Sequence, residues 1–275
     1  MTDKSVDAGI HPLPKEEQKI VEEHLPLRSP MVYEVVRQEG ETELNRPLTS
    51  LWWSGIAAGI AMFTSVLAEG IFHEKLPDAS WRPLVENLGY CFGFLITVLG
   101  RLQLFTENTI TAVLPLFAQK SVKRLAETAR LWVVVLTANL AGTFTTAALV
   151  TWTGLIPQQH IGGMLHVASE FSQNTPLEAL TFGIPAGFLV AAMVWLLASA
   201  ENAKFSIIIA LSYLLALGDF THVVVGSAEA ALLLFNGSMT LASVGLLLLS
   251  TLAGNIIGGT GLFGLLAYGQ IKEEL

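Results

Sequence analysis

The chain has a single cysteine, Cys91, and it sits inside an apolar block. That excludes an intramolecular disulfide and a cysteine zinc cluster, and leaves the redox compartment open. Charge is scarce too: Asp, Glu, Lys and Arg make up 14% of 275 residues, against about a quarter in a soluble domain. Basic residues are the scarcer sign, 15 against 23 acidic, and a net charge of −8 offers no basic face for a nucleic acid. HExxH, GxSxG and phosphate-loop patterns are all absent, which argues against an enzyme. Five of the six histidines (His11, His24, His73, His160 and His166) are scattered outside the apolar blocks or near their ends. No metal and no cofactor is implied. No sizeable polar stretch offers a soluble domain, which argues against a scaffold or sensor. The N-terminus is acidic and polar and does not read as a cleaved signal peptide.

Apolar residues are what the chain has in excess, at 52% and a mean hydropathy of +0.56. They form six blocks, near 51–72, 87–117, 129–152, 177–200, 205–235 and 240–268. Each is long enough to cross a hydrocarbon core of roughly 30 Å. The expectation is an all-α integral membrane protein of six transmembrane helices over 49–270, forming a pore or carrier for a small polar solute. With the N-terminus inside, the inner segments hold Lys4, Lys15, Lys19, Arg28, Arg37, Arg46, Lys120, Lys123, Arg124, Arg130, Lys204 and Lys272. The outer segments hold only Lys75 and Arg82, and Arg101 lies within a block. That bias places both termini in the cytoplasm, with residues 271–275 as a short C-terminal tail. Residues 1–29 are charged, contain three prolines and read as a flexible cytoplasmic tail. Residues 30–48 read as a short helix along the inner membrane surface plus a linker, opened by Pro30, with Val32, Val35, Val36 and Glu39 on a partly apolar face.

The chain also repeats itself. Gly55-Ile56-Ala57-Ala58-Gly59 in block one matches Gly183-Ile184-Pro185-Ala186-Gly187 in block four. Asn139-Leu140-Ala141-Gly142 in block three matches Asn255-Ile256-Ile257-Gly258 in block six. Between them lie Leu104-Phe105-Thr106 and Phe220-Thr221-His222. Thr106 precedes Asn139 by 33 residues, and His222 precedes Asn255 by 33. Each repeat, 51–152 and 177–268, has an odd number of spans, so the second runs inverted relative to the first. Such repeats put a solute site near the midplane on interrupted helices. Blocks two and five are each about 31 residues, some 46 Å as unbroken helix at 1.5 Å per residue. Both carry polar groups mid-block. Non-helical backbone at membrane depth survives where it lines a cavity or is buried in protein. The second and fifth helices are therefore expected to be broken, with Thr106 and His222 on loops that meet at the pore.

These motifs resemble the formate/nitrite transporter family over roughly 30–270. The Glu107-Asn108-Thr109 and Gly218-Asp219-Phe220-Thr221-His222 runs are most similar to its YfdC-like inner-membrane branch. The resemblance implies an aquaporin-like protomer in a bacterial inner membrane, a homopentamer with one pore per protomer, and passage of small monovalent weak-acid anions. It also implies a pore threonine and histidine, here Thr106 and His222. Three departures stand out. Gly226 replaces an asparagine four residues after the histidine, Glu107 replaces a small polar residue after the threonine, and 154–176 has no Lys or Arg where the family has a vestibule lysine.

His222 can give and take a proton near neutral pH, and an intramembrane ionisable residue is a functional candidate. Thr106 would donate a hydrogen bond to the anion, and His222 would then hand over a proton. Leu104, Phe105 and Phe220 are either constriction side chains or ordinary packing. Glu107 and Glu229 each pair with Arg101 or cap a half-helix, or else take part in transport. The latter makes a pore for a cation or neutral solute the alternative reading. Arg101 reads as a structural counter-ion, Asp219 as a cap for the loop, Asn139 and Asn255 as structural, and Glu69 as an interfacial residue at the outer end of block one.

Overall fold

A computed structural model describes residue 14, residues 16–17 and residues 27–274. The expected tail 1–29 lies mostly outside the described residues. Every regular element described is helical. In chain order these are α1 (Ser29–Leu44), α2 (Leu48–Lys75), α3 (Arg82–Glu86), α4 (Cys91–Leu99), α5 (Asn108–Thr111), α6 (Leu114–Ala118) and α7 (Val122–Thr153). Then come α8 (Ile161–Gln173), α9 (Pro176–Ser199), α10 (Lys204–Leu217), α11 (Val223–Phe235), α12 (Leu241–Ile256) and α13 (Leu265–Ile271). Four helices are long and apolar enough to cross a membrane: α2, α7, α9 and the continuous stretch Leu241–Ile271. Shorter apolar helices occupy Asn108–Ala118, Lys204–Leu217 and Val223–Phe235.

Local sequence sets the ends. Ser121 caps α7 by accepting from Arg124 N–H, and Gly154 ends it in the left-handed region at φ 69°. Thr175 and Glu178 form a reciprocal capping box ahead of α9. The stretch Ile257–Gly264 winds as π-helix, and it carries Thr260, whose hydroxyl donates to the Thr109 carbonyl of the α5 turn. Hydropathy gives this region as one plain helix; the π-turn, which reaches across to α5, is invisible to it.

Two long pairs frame the molecule in the same manner. α2 packs on α7, and α9 packs on α12. In the first pair Gly59 meets the Asn139 backbone, and in the second Gly187 meets the Asn255 backbone, so closely that a Cβ would overlap a carbonyl oxygen in either case. Large side chains such as Val122, Trp152, Leu177 and Leu241 are exposed on the outside.

α1 buries Val32, Tyr33, Val36, Gly40 and Leu44, with the Tyr33 hydroxyl donating to the Leu114 carbonyl. These side chains pack on protein, while Met31 and Val35 of the same helix stay exposed. On its polar side Glu34 accepts from Arg37 at 2.7 and 2.8 Å, and these bonds hold its carboxyl down at about 2. Gln270 Nε2 donates to Ser29 Oγ at 3.0 Å, so α1 begins beside the C-terminal helix.

Candidate functional site

Two helices stop short inside the bundle, and they stop in the same way. α4 ends with Arg101 N–H bonded to Val98 C=O and Leu102 N–H to Thr97 C=O. α10 ends with Asp219 N–H bonded to Ala216 C=O and Phe220 N–H to Leu215 C=O. Both are Schellman closures, which put one residue in the left-handed region. That residue is usually glycine; here it is Arg101 and Asp219, each at φ 51°. Asp219 thus terminates a helix through its backbone, and its side chain caps no helix among the described residues.

Two buried asparagines then hold the extended chain that follows. Asn139 Oδ1 accepts from Phe105 N–H at 2.9 Å, and its Nδ2 donates to Gln103 C=O and Gly55 C=O, both at 2.8 Å. Asn255 Oδ1 accepts from Val223 N–H, and its Nδ2 donates to Thr221 C=O and Gly183 C=O, all at 2.9 Å. Residue 103 therefore corresponds to 221, and 105 to 223. The equal 33-residue spacings seen in the sequence are not the structural register. The counterpart of His222 is Leu104, and the counterpart of Thr106 is Val224.

Thr106 and His222 nevertheless meet. Thr106 Oγ1 lies 2.7 Å from His222 Nε2, with the two residues 0% and 2% exposed. His222 is the N-cap of α11, and its Nδ1 accepts from Val225 N–H at 3.3 Å. A neutral ring that accepts at Nδ1 carries its proton at Nε2. Nε2–H then donates to Thr106 Oγ1, and the threonine's own hydrogen is left free for another acceptor. Phe94 packs beside the imidazole, ring centres 5.2 Å apart. Leu104 and Phe105 are buried, but Phe105 sets its edge against Trp132, whose indole N–H donates to Asn108 C=O. Phe220 folds back over Gly218.

One cavity reaches this contact at His222, and another is bordered by Gln103, Glu107 and Asn108 on the chain around Thr106. The first, of about 430 Å³, is bordered by His222, Glu69, Glu170, Phe171, Asp219 and Glu229. The second, of about 220 Å³, is bordered by Glu39, Glu43, Arg101, Gln103, Glu107 and Lys204. They sit at opposite ends of α2: Glu43 just precedes its start, while Glu69 lies about 30 Å further along at 1.5 Å per residue.

Several side chains are not where the sequence suggested. Arg101 does not pair with Glu107; it reaches Glu39 of α1 at 3.2 Å on an exposed edge. Glu107 borders the smaller cavity, and Glu229 the larger, so the two never share a chamber. Glu69 is only 4% exposed, and it faces the larger cavity instead of an interface. Gly226 has the Phe171 ring against it, so the volume of a longer residue there is taken by an aromatic side chain from α8. The 154–176 segment, empty of Lys and Arg, contributes Glu170 to the same cavity, and partial burial raises that carboxyl's pKa, Asp219 adding to the effect.

Comparison with known proteins identifies this arrangement. The family model described as "Formate/nitrite transporter" matches residues 30–269. The chain belongs to the formate/nitrite transporter family. Its members are transporters and channels, not enzymes. "Inner membrane protein YfdC" of Escherichia coli (strain K12) is 42% identical over 258 residues, covering 94% of this chain and 83% of that protein. "Uncharacterized transporter YrhG" of Bacillus subtilis (strain 168) is 27% identical over 250 residues, covering 86% and 91% respectively. Two solved structures share the fold, each with a TM-score of 0.71 and 21% identity. An "FNT family ion channel" covers 88% of this chain and 96% of its own, and a "Pentameric formate channel with formate bound" covers 82% and 98%.

Proposed function

We propose that the chain is a channel or carrier for small monovalent weak-acid anions of the formate and nitrite kind. In this reading it crosses the membrane six times in two inverted three-helix halves, aquaporin-like, with the second and fifth crossings broken at Arg101–Glu107 and Gly218–His222. The observation that carries it is the buried 2.7 Å Thr106–His222 contact, with cavities at opposite ends of α2. Family membership and the solved formate channel of like fold support the solute class.

An anion reaching the constriction accepts the free Thr106 hydroxyl hydrogen. Moving a bare carboxylate through a dry, narrow path costs far more than moving the neutral acid. A proton supplied by His222 removes that cost, but donation from the neutral ring would leave an imidazolate. His222 therefore first takes a proton at Nδ1, which releases the Val225 N–H it caps, and then gives up the one at Nε2 through Thr106. The cap bond and the proton relay compete for the same nitrogen.

On the same proposal the protomer lies in a bacterial inner membrane with both termini cytoplasmic, in a homopentamer. The Lys and Arg bias and the Gln270–Ser29 bond support the topology, and the pentameric formate channel supports the assembly. Native mass spectrometry in mild detergent tests the subunit number. The function is tested in proteoliposomes with labelled formate. Uptake should rise as outside pH falls, and His222→Ala should bring it to background. Full formate flux through His222→Ala sinks the relay. The rival, a cation or neutral-solute pore through Glu107 and Glu229, requires that formate is never carried.

A further inference from the structure

The larger cavity is lined by one sign of charge. Glu69, Glu170, Asp219 and Glu229 border it, and among the described residues no lysine or arginine does. None of the four has an ion pair among the described residues. Glu69 is only 4% exposed, and its Oε2 is buried with no hydrogen-bond partner among the described residues. Its acidic neighbours are Glu229, Glu86 and Glu170. Glu86 is already engaged, by His73 Nδ1 at 3.2 Å and by Arg82 Nε at 3.8 Å. A buried polar atom without a partner is costly, and the side chain that carries this one borders the cavity.

The chemistry of the missing partner can be narrowed. The lining carboxylates select a positive group. Among the described residues no three His, Cys, Asp or Glu converge closely enough to hold a metal ion, so a compact divalent cation lacks its ligand shell. An ammonium group needs no such shell; it needs separated acceptors, which Glu69 and Glu229 supply, and it gains from aromatic faces. Tyr90 and Phe171 both border the cavity.

We propose that this cavity binds a small cation carrying N–H donors, ammonium or a primary alkylammonium, with Glu69 as its anchor and Glu229 as the second acceptor. The site does not depend on the Thr106–His222 relay. A bound cation offsets the acidic lining that would otherwise repel an approaching anion.

Purified protein in detergent, at fixed pH and ionic strength, is titrated with methylammonium, tetramethylammonium or sodium chloride while unfolding is followed by tryptophan fluorescence. The expected result is a saturable rise in the unfolding midpoint with methylammonium alone. Glu69→Gln should weaken the apparent affinity by about tenfold or more, Glu229→Gln should weaken it less, and Glu74→Gln, outside the cavity, should leave it unchanged. An equal rise with tetramethylammonium or sodium, no saturable rise, or a full response in Glu69→Gln overturns the proposal. If Glu69→Gln does not fold, equilibrium binding of labelled methylamine to the unaltered protein decides. Binding displaced by ammonium and not by tetramethylammonium supports the site, and no displaceable binding overturns it.

Discussion

Replacing Asn139 with alanine removes three hydrogen bonds, and the structure says which of them matter. Gly55 C=O lies inside α2 and keeps its helical donor. Phe105 N–H and Gln103 C=O lie in the non-helical stretch and have Asn139 as their backbone-group partner. Two stranded buried groups at roughly 1–3 kcal/mol each give about 2–6 kcal/mol. Asn255→Ala strands Val223 N–H and Thr221 C=O and should cost the same. At roughly 2–4 °C per kcal/mol for a chain of this size, each variant should lower the unfolding midpoint by about 4–24 °C. Thermal unfolding in detergent measures it, and formate flux at a temperature where both variants remain folded measures the loop geometry. Asn139→Asp should fare no better, because the carboxylate would face two carbonyls where the amide donated. A shift of under about one degree for either alanine variant, with flux intact, would refute the view that these side chains hold the two breaks in place.

Three further outcomes follow from named contacts. Thr106→Val keeps the volume but strands the His222 Nε2–H, so it should cost about 1–3 kcal/mol and reduce weak-acid flux at every pH; stability is read by melting and flux in proteoliposomes. Glu107→Gln should leave formate flux intact or raise it, since Glu107 has no ion pair among the described residues and an ionised carboxylate beside Thr106 would oppose an anion; loss of flux would favour a cation path. Gly226→Asn puts a Cβ 2.7 Å from Phe171 Cε2, so it should destabilise by about 1–3 kcal/mol, and adding Phe171→Ala should recover part of that in a double-mutant cycle.

Hydropathy carried the long helices well, because block length and charge depletion are local properties. The breaks in blocks two and five were legible for a similar reason: about 31 apolar residues is too long for one crossing, and each block held polar groups at its middle. Register was not legible. The asparagine motifs were found, but counting from them to Thr106 and His222 produced an equality that hydrogen bonding contradicts by two residues. Glu69 was misjudged because position along a helix gives depth and not azimuth. The signal existed: Met62, Val66 and Glu69 fall at helical spacing on one face, and all three are buried. The Arg101–Glu39 pair and the Phe171–Gly226 contact join segments 62 and 55 residues apart, which no local pattern reports.

The register correction changes how the site is understood on the proposed inverted-repeat reading. If two inverted halves meet at a pseudo-twofold axis, equivalent positions face each other across it. Position 104 corresponds to 222 and position 106 to 224, so an unmodified symmetry would pair like with like. The chain instead carries Leu104 against His222 and Thr106 against Val224. One half keeps the imidazole and the other keeps the hydroxyl, displaced by two residues. Residues 105–107 turn, with Asn108 N–H bonded to Leu104 C=O, so the two-residue displacement moves the hydroxyl off the straight chain and onto that turn. That displacement lets a short hydroxyl from one half reach the ring of the other, where a second histidine at 104 would meet a like partner and compete for the same proton. Leu104→His should therefore not double the relay. It should put two imidazoles in one buried constriction, where the first proton taken up repels the second, and move the pH dependence of formate flux to lower pH. Flux with an unaltered pH profile would show that position 104 does not face the constriction and that the correspondence drawn from Asn139 and Asn255 does not extend to the side chains.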